Sequence, residues 1–249
     1  MNARPARGPR TLAIDVGGTV LKAAVLDPGG RPIAPPARVP TPHPATPFAT
    51  LRALGRLAAA GPPFTRVAVG FPGVVVDGVV YTAVNLHPAW IGVNLARRME
   101  RLTGRPTRVA NDADVQGLGV VAGRGVELVV TLGTGVGSAL FLDGRLVPNL
   151  ELGHHPFQGG RTYEQMLGDR ALKRIGSAAW HSRLRAAVEM LRKTFRPRRL
   201  YLGGGNARLV HRGLPAGVTV VSNVAGVLGG IRLWATERPR PRRRRRSPP

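Results

Sequence analysis

Short apolar runs bounded by glycine, proline and aspartate recur along most of the chain, which is typical of buried strands. In the first half they predict strands at Thr11–Val16, Val20–Leu26, Val67–Gly70 and Thr107–Ala110, and a hairpin with strands Val74–Val76 and Val79–Tyr81 around Asp77-Gly78. Apolar residues at helical spacing predict helices at Phe48–Ala60, Asn94–Leu102 and Asp114–Ala122. The pattern therefore predicts an α/β fold.

The second half repeats this arrangement. Its predicted strands are Glu127–Leu132, Gly137–Leu142, Arg145–Val147, Arg199–Leu202 and Val218–Val221. A helix is predicted at Ala178–Phe195, and a last helix is capped by Ser222 and runs to about Trp234. Because each half begins near a glycine loop, we expect two related α/β lobes, at residues 11–110 and 111–237. The last helix is expected to pack back on the N-terminal lobe.

The composition agrees with a globular protein. The chain has 249 residues, 43% of them hydrophobic, and these suffice for a core. It contains no apolar run of roughly 20 residues, which a membrane helix needs. No secretory signal is visible, and the absence of cysteine excludes disulfides, cysteine metal sites and thiol catalysis. A cytoplasmic location is the expectation.

The net charge of +24 is high. Basic, disordered ends are expected at residues 1–10 and 238–249, and they carry three and seven of the arginines. A basic body favours polyanions such as nucleic acid, polyphosphate or an anionic membrane. A GC-rich coding sequence explains the same excess without function, because only three of the 37 basic residues are lysine. Composition leaves both interpretations open.

Three glycine loops follow predicted strands. The first contains Asp15, Gly17, Gly18, Thr19 and Lys22. Its glycines let backbone N–H groups approach a phosphate, and Asp15 is suited to hold Mg²⁺ through water. It is not a Walker A loop.

The second loop contains Gly133, Thr134, Gly135 and Gly137, and the third contains Gly203, Gly204 and Gly205. Ser138 stands where a dinucleotide fingerprint needs glycine, so that kind of site is disfavoured. Each loop alone is compatible with an ordinary turn. Three of them together favour a phosphoryl-transfer site.

Polar residues that suit proton transfer and sugar binding lie between and after these loops. We assign Asp112 as a general base and Asp114 as the cap of the following helix. Paired donors and acceptors suit sugar hydroxyls, and Asn85, Glu151, His154 and Glu164 provide them. A zinc site is a minor alternative. We expect Trp90 in the core and His181 on the surface.

Five segments together give the chain a family resemblance. They are AIDVGGTVLKAAVLD, VGFPGVVVDGVVYTAVNL, NDADVQGLG, TLGTGVGSALFLDGRLVPNLELGHH and YLGGGN. In this order they resemble the ROK family of sugar kinases, and within it the polyphosphate glucokinase branch. The likeness runs from Leu12 to Leu233. The cysteine-rich zinc motif of many members is missing, and Phe157–Leu200 diverges most.

The resemblance implies the actin-like, ribonuclease-H-like two-lobed fold, with substrates in the cleft. It implies phosphate binding by the first two glycine loops, with the third at the nucleotide or donor end. It also implies sugar binding by Asn85, Asn111, Asp112, Glu151, His154 and Glu164, and Asp112 as the catalytic base. Mg²⁺ and a homodimer are further implications.

The expected function is therefore transfer of a phosphoryl group from polyphosphate, ATP or both to the 6-hydroxyl of glucose. Residues 161–199 carry eleven Lys/Arg against three acids, which suits a long polyanion or a solvated helix face. An inactive sugar-sensing or nucleic-acid-binding regulator is the alternative. The intact Asp112 and glycine loops argue against it, so neither nucleic acid nor a membrane is an expected partner.

Overall fold

The computed structural model describes residues 8–210, 214–221 and 225–235. Its strands are β1 (Thr11–Val16), β2 (Val20–Leu26), β3 (Ala37–Pro40), β4 (Arg66–Phe71), β5 (Val75–Val76), β6 (Val79–Val80), β7 (Thr107–Asn111), β8 (Val126–Leu132), β9 (Val136–Leu142), β10 (Arg145–Val147), β11 (Pro156–Gln158), β12 (Arg161–Thr162), β13 (Arg199–Gly203) and β14 (Val218–Val220). Its α-helices are α1 (Pro47–Ala60), α2 (Leu95–Thr103), α3 (Asp112–Val120), α4 (Tyr163–Leu167), α5 (Asp169–Phe195) and α6 (Ala225–Ala235).

Two five-stranded sheets share one topology. The first has the order β3-β2-β1-β4-β7, and the second has the order β10-β9-β8-β13-β14. In each sheet three strands are antiparallel neighbours and the last two add in parallel. The repeated order agrees with two related α/β halves.

Three hydrophobic clusters hold the sheets and helices together. One lies between the first sheet and helices α1 and α2, and a second lies between the second sheet and helices α4 and α5. The third joins the sheets, because it combines Ala68 of β4 with Val115 of α3, Val129 of β8 and Leu233 of α6. Helices α3 and α6 therefore fix how the two sheets face each other.

Arginines secure the position of α6. Arg232 donates from Nη1 to the carbonyls of Leu118 (2.8 Å) and Val121 (3.1 Å), where α3 ends. Arg108 of β7 donates to the carbonyl of Leu233 (2.6 Å) in the last turn of α6. Cations near helix carboxyl ends satisfy carbonyls that lack an intrahelical partner. These contacts hold α6 against the first sheet. The division of the chain into two lobes at residues 110 and 111 stays a prediction.

Most predicted elements are confirmed within one or two residues. Two regions differ by more, and a one-residue shift changes the place of Gly203. The proline-rich segment at residues 31–47 contains the edge strand β3, which the prediction missed. The strand predicted to end at Leu202 continues to Gly203. The helix predicted at Ala178–Phe195 begins earlier, at Asp169, and forms α5. Helix α4 precedes it, and α5 is interrupted at Gly176, whose φ of 76° is not helical.

Some predictions fall outside the described residues. These are the cap at Ser222 and nearly all of the two basic ends, at residues 1–7 and 238–249. Within the described ranges, no helix is both long and apolar enough to cross a membrane.

Candidate active site

A cavity of about 570 Å³ opens where the carboxyl ends of the central strands of the two sheets meet. Asp15 of β1 and Asn111 of β7 reach it from the first sheet, and Thr131 of β8 reaches it from the second. In α/β folds, ligands bind at the carboxyl ends of parallel strands. The volume lies within the range of small-molecule sites.

One part of the cavity, the carboxylate end, consists of Asn111, Asp112, Glu151 and His154. Asn111 is 5% exposed, and its Nδ2 donates to Glu151 Oε1 (2.8 Å) and to the carbonyl of Gly73 (3.2 Å). His154 Nε2 lies 3.7 Å from Glu151 Oε2. Because Asn111 uses both amide hydrogens within the protein, it holds Glu151 in place. Its direct sugar contact stays a prediction.

The cap of α3 is Asn111 and not Asp114, which the sequence predicted. Its Oδ1 accepts the backbone N–H groups of Ala113 (2.8 Å) and Asp114 (3.3 Å), so Asn111 caps α3. The capping role assigned to Asp114 is therefore wrong. The helix begins two residues earlier than predicted, at Asp112, because β7 leads directly into the cap.

Burial and like charges change the acidity of this end. Burial raises the pKa of Asp112 to about 7, and the charges of Asp15 and Glu151 add to the rise. Burial also raises the pKa of Glu151; the neighbouring Glu164 adds to this, and His154 opposes it. A carboxylate with a pKa near neutrality is suited to accept a proton from a hydroxyl.

The glycine end of the cavity begins at the first loop. Gly17 donates its N–H to the carbonyl of Val20 (3.2 Å), and a Cβ on Gly17 would lie only 2.6 Å from that oxygen. The loop is braced by Thr41, which follows β3. Its Oγ1 donates to the carbonyl of Gly17 (2.6 Å), and its N–H donates to the carbonyl of Thr19 (2.9 Å). The tight turn is therefore held in place beneath any bound anion.

The second and third loops complete the glycine end. The carbonyl of Gly133 accepts from the N–H of Asp169 (2.9 Å) and from Asn206 Nδ2 (3.3 Å). Glu164 Oε2 accepts the N–H of Val136 (3.3 Å). Among the hydrogen bonds of the described residues, none uses the N–H of Thr134 or Gly135. Those two groups are available to a phosphate oxygen.

Gly204 brings the third loop against the second. Its φ is 86°, and a Cβ there would lie 2.5 Å from the backbone nitrogen of Leu132. Only glycine combines this conformation with so close an approach. Gly204 and Gly205 line the cavity, so the two loops form one surface.

Two cations line the glycine end, and the sequence identified one of them. Lys22 Nζ pairs with Asp15 Oδ2 at 2.9 Å. Arg38 of β3 lies directly opposite Lys22 on the neighbouring strand, and both line the cavity. Like charges on opposite residues destabilise a sheet, and the pairing of Lys22 with Asp15 offsets part of that repulsion. The proline-rich context hid β3 and therefore Arg38.

The carboxylates suit a divalent cation of the Mg²⁺ type. Asp15 and Asp112 both line the cavity, and their mutual repulsion raises the pKa of Asp112. Within the described residues, no group of three or more His, Cys, Asp or Glu side chains could enclose a metal. Mg²⁺ usually binds through one or two carboxylates, waters and substrate phosphates, which this donor set fits.

The remaining predicted residues divide into two groups. Asn85 and Glu164 line the cavity, together with every other predicted site residue except Thr19 and Gly203. Thr19 is exposed on the hairpin turn, and Gly203 ends β13. Trp90 is fully buried, as predicted. His181, predicted on the surface, is half-buried, and its Nε2 lies 2.9 Å from the carbonyl oxygen of Leu209.

Comparison with known proteins places the chain among sugar kinases. The model of the ROK family matches residues 11–166. A polyphosphate glucokinase from Mycobacterium tuberculosis is 31% identical over 232 residues, which are 87% of this chain and 88% of the relative.

Solved structures give the same picture. An inorganic polyphosphate/ATP-glucomannokinase from Arthrobacter sp. strain KM superposes with a TM-score of 0.84 and 33% identity, over 92% of this chain and 99% of that one. A ROK family glucokinase from Streptomyces griseus superposes with a TM-score of 0.73 and 21% identity, over 90% and 98% of the two chains. The predicted actin-like α/β fold is confirmed.

Proposed function

Because the chain belongs to the ROK family, we propose that it is a glucokinase that transfers a phosphoryl group from polyphosphate or ATP to the 6-hydroxyl of glucose. One observation carries the proposal. Asp112, whose pKa burial raises to about 7, lines the same cavity as three glycine loops and two cations. A proton acceptor and a phosphate cradle in one cavity are what this reaction requires.

The reaction step follows from this arrangement. The 6-hydroxyl oxygen attacks the terminal phosphorus of the donor, and a new P–O bond forms. The bridging P–O bond to the rest of the donor breaks, and the donor leaves shortened by one phosphate. The carboxylate of Asp112 accepts the hydroxyl proton. Positioning and charge stabilisation supply most of the catalysis in such transfers.

The carboxylate end is the proposed sugar site. Glu151 and His154 offer an acceptor and an imidazole to neighbouring hydroxyls, and Asn111 holds Glu151 in place. Asn85 is exposed at the cavity wall, where its amide offers both a donor and an acceptor. Glu164, which anchors Val136, links the sugar site to the second loop.

The glycine end is the proposed donor site. Thr134 and Gly135 supply N–H groups, and Lys22 and Arg38 supply positive charge. Gly204 and Gly205 border the part that receives the rest of the donor. A charged chain of phosphates meets backbone and cations here and needs no base-specific contact, which supports polyphosphate as a donor beside ATP.

Mg²⁺ is the proposed cation, and Asp15 would hold it through water. When bound, it neutralises charge on the phosphate oxygens of the donor. Asp15 also pairs with Lys22, so the carboxylate that would hold Mg²⁺ also positions the ammonium group of Lys22.

The test is a panel of donors and acceptors. Purified protein is assayed for glucose 6-phosphate with polyphosphate, ATP and GTP, against glucose and mannose, with and without Mg²⁺. The proposal expects Mg²⁺-dependent product with glucose and at least one of the first two donors. No transfer to glucose from either donor would overturn it.

The assembly and location are part of the same proposal. The family resemblance supports a homodimer, and light scattering on the purified protein tests it. It also supports a cytoplasmic enzyme, which cell fractionation tests.

A further inference from the structure

The side chain of Asn149 pairs with one backbone residue of the β5–β6 hairpin. Its Oδ1 accepts the N–H of Val75, and its Nδ2 donates to the carbonyl of Val75, both at 3.1 Å. An antiparallel strand pairs with its neighbour through the same two bonds. The amide of Asn149 therefore replaces a strand residue along β5, although the two residues are 74 positions apart in the chain.

A buried carboxylate holds Asn149 in this position. The N–H of Asn149 donates to Asp114 Oδ2 at 3.1 Å. Asp114 is 1% exposed, and its Oδ1 has no hydrogen-bond partner within the described residues. Burying such a group is costly. The φ of Asn149 is 59°, a conformation that asparagine tolerates better than most residues.

The two ends of this contact adjoin two segments that line the proposed sugar site. Val75 lies two residues after Gly73, whose carbonyl accepts from Asn111, and its hairpin leads on to Asn85. Asn149 lies two residues before Glu151. We call the Asp114–Asn149–Val75 contact the latch. It joins the segment that carries Asn85 to the segment that carries Glu151.

We propose that Asp114 and Asn149 are positioning residues that set the width of the sugar site. The inference rests on the proposed glucokinase function. Neither side chain lines the cavity in the described structure, so both act through the segments that they connect. The latch fixes the separation of Asn85 and Glu151, and it leaves the donor loops untouched.

Asn149→Gly is the most direct variant, because glycine adopts a φ of 59° without strain and only the amide is lost. We expect the KM for glucose to rise on the order of tenfold, the equivalent of one or two lost hydrogen bonds. The KM for the donor and the kcat should change by less than about twofold, which is a small effect on this energy scale.

The control is Thr46→Ala. Thr46 accepts the N–H of Ala49 (3.3 Å) as the cap of α1, outside the cavity and apart from the β5–β6 hairpin. Its loss should lower Tm without changing the KM for glucose. A latch that served stability alone would make Asn149→Gly behave in the same way.

Two variants of Asp114 separate position from stability. Asp114→Asn keeps an acceptor for the N–H of Asn149 and removes the charge of a buried carboxylate whose Oδ1 has no partner within the described residues, so the KM for glucose should be retained and Tm should not fall. Asp114→Ala removes the acceptor and should raise the KM for glucose as Asn149→Gly does. If Asp114 is a positioning residue, Asp114→Asn should keep the wild-type KM for glucose and Asp114→Ala should not.

Amide hydrogen exchange gives a readout that does not depend on activity. Asn149→Gly should speed exchange at Val75, whose N–H loses its acceptor, and leave the amides of β8 unchanged. An unchanged KM for glucose in Asn149→Gly, with wild-type protein phosphorylating glucose, would overturn the latch alone. Wild-type protein that transfers nothing to glucose would overturn the proposed function and the latch together.

Discussion

The two ends of the cavity are built differently. At the carboxylate end, the side chain of Asn111 alone makes four hydrogen bonds, one to Glu151, one to the carbonyl of Gly73 and two to the start of α3. At the glycine end, backbone groups and exposed cations dominate, and no carboxylate of the described part of the chain forms an ion pair with Arg38. The first end is therefore a set of side chains that fix one another, and the second exposes N–H groups and positive charge.

This difference predicts that the proposed glucokinase selects its sugar more strictly than its donor. A sugar is recognised by hydrogen bonds whose loss leaves buried groups unpaired, so small changes in its shape are costly. A phosphate chain is recognised by N–H groups and charge, which any phosphate oxygen satisfies. The proposed glucokinase would therefore be strict toward its sugar and tolerant toward its donor.

The largest expected effect is at Asp112. Asp112→Ala removes the proposed base and should lower kcat by about 10²–10⁴-fold. The fold should survive, because Asp112 repels Asp15 and Glu151 and its removal relieves that repulsion. Steady-state kinetics and thermal melting check both statements. Near wild-type turnover would exclude Asp112 as the base.

Glu151→Gln should weaken glucose binding at the carboxylate end and leave donor binding at the glycine end unchanged. The amide keeps an acceptor for Asn111 and loses the charge, so glucose binding should weaken by roughly 1.5 kcal/mol, about tenfold. The pair His154–Glu151 is lost with the charge. Calorimetric titration with glucose, and separately with donor, measures the effect. An equal loss for both ligands would mean that the two ends are not independent.

The pH dependence should reveal the carboxylate end. Because burial raises the pKa of Asp112 to about 7, kcat/KM should fall about tenfold per pH unit below that value as the base is protonated. Stability depends on pH in the opposite direction, so the fold gains stability where the activity is lost. Burial also raises the pKa of Asp114 to about 7, and both folded carboxyls hold protons more tightly than the unfolded chain does. Their contribution to the free energy of unfolding therefore decreases as pH rises from about 4 to 7.

The profile of kcat/KM against pH and chemical denaturation at several pH values check these signs. Asp112→Asn should remove the acid limb of the activity profile. A limb that persists in this variant would have to come from another group.

Arg38→Ala should affect the glycine end alone. We expect the KM for polyphosphate to rise by about three- to tenfold, since one exposed charge–phosphate contact is lost. The KM for glucose should not change. Arg101→Ala is the control, because Arg101 is an exposed arginine of α2 outside the cavity. If both substitutions raised the KM for polyphosphate equally, Arg38 would act only through the net charge of the protein.

The smallest expected effect concerns α5 and long donors. The helix begins beside the second loop, where Asp169 binds Gly133, so Arg170 and Arg174 lie nearer the donor site than Arg192 and Lys193 at the other end. Neutralising the near pair should raise the KM for long polyphosphate a few-fold, and neutralising the far pair should raise it less. Salt should weaken the binding of long polyphosphate more than the binding of ATP, because exposed charges are screened beyond about 8 Å at physiological ionic strength.

A salt series with both donors measures these effects. If the two pairs had equal effects and the two donors had equal salt slopes, the basic residues of α5 would have no role in binding the donor, and their number would reflect composition alone.

The sequence predicted the strands and glycine loops well because their signals are local. A strand such as Thr11–Val16 is an apolar run that ends in turn residues, and its bounds are confirmed. Arg38 was missed because prolines at residues 35, 36 and 40 masked β3, which forms only by pairing with β2. Edge strands of this kind depend on a neighbour rather than on their own pattern.

The carboxylate end was harder to predict for the same reason. Asn111 and Asp114 both suit a helix cap, and the choice between them depends on where β7 ends. The pairing of Asn149 with Val75 leaves no local signal, because the two residues meet only after both sheets have formed. Sequence identifies chemical types, and the fold decides which of them meet.

The most direct test of the central claim is a crossed measurement of KM in Glu151→Gln and Arg38→Ala. Glucose 6-phosphate formation is followed at varied glucose with saturating polyphosphate, and then at varied polyphosphate with saturating glucose. We expect Glu151→Gln to raise the KM for glucose alone and Arg38→Ala to raise the KM for polyphosphate alone. If each substitution raised both KM values equally, or if the wild-type protein formed no product, the division of the cavity into a sugar end and a donor end would be contradicted.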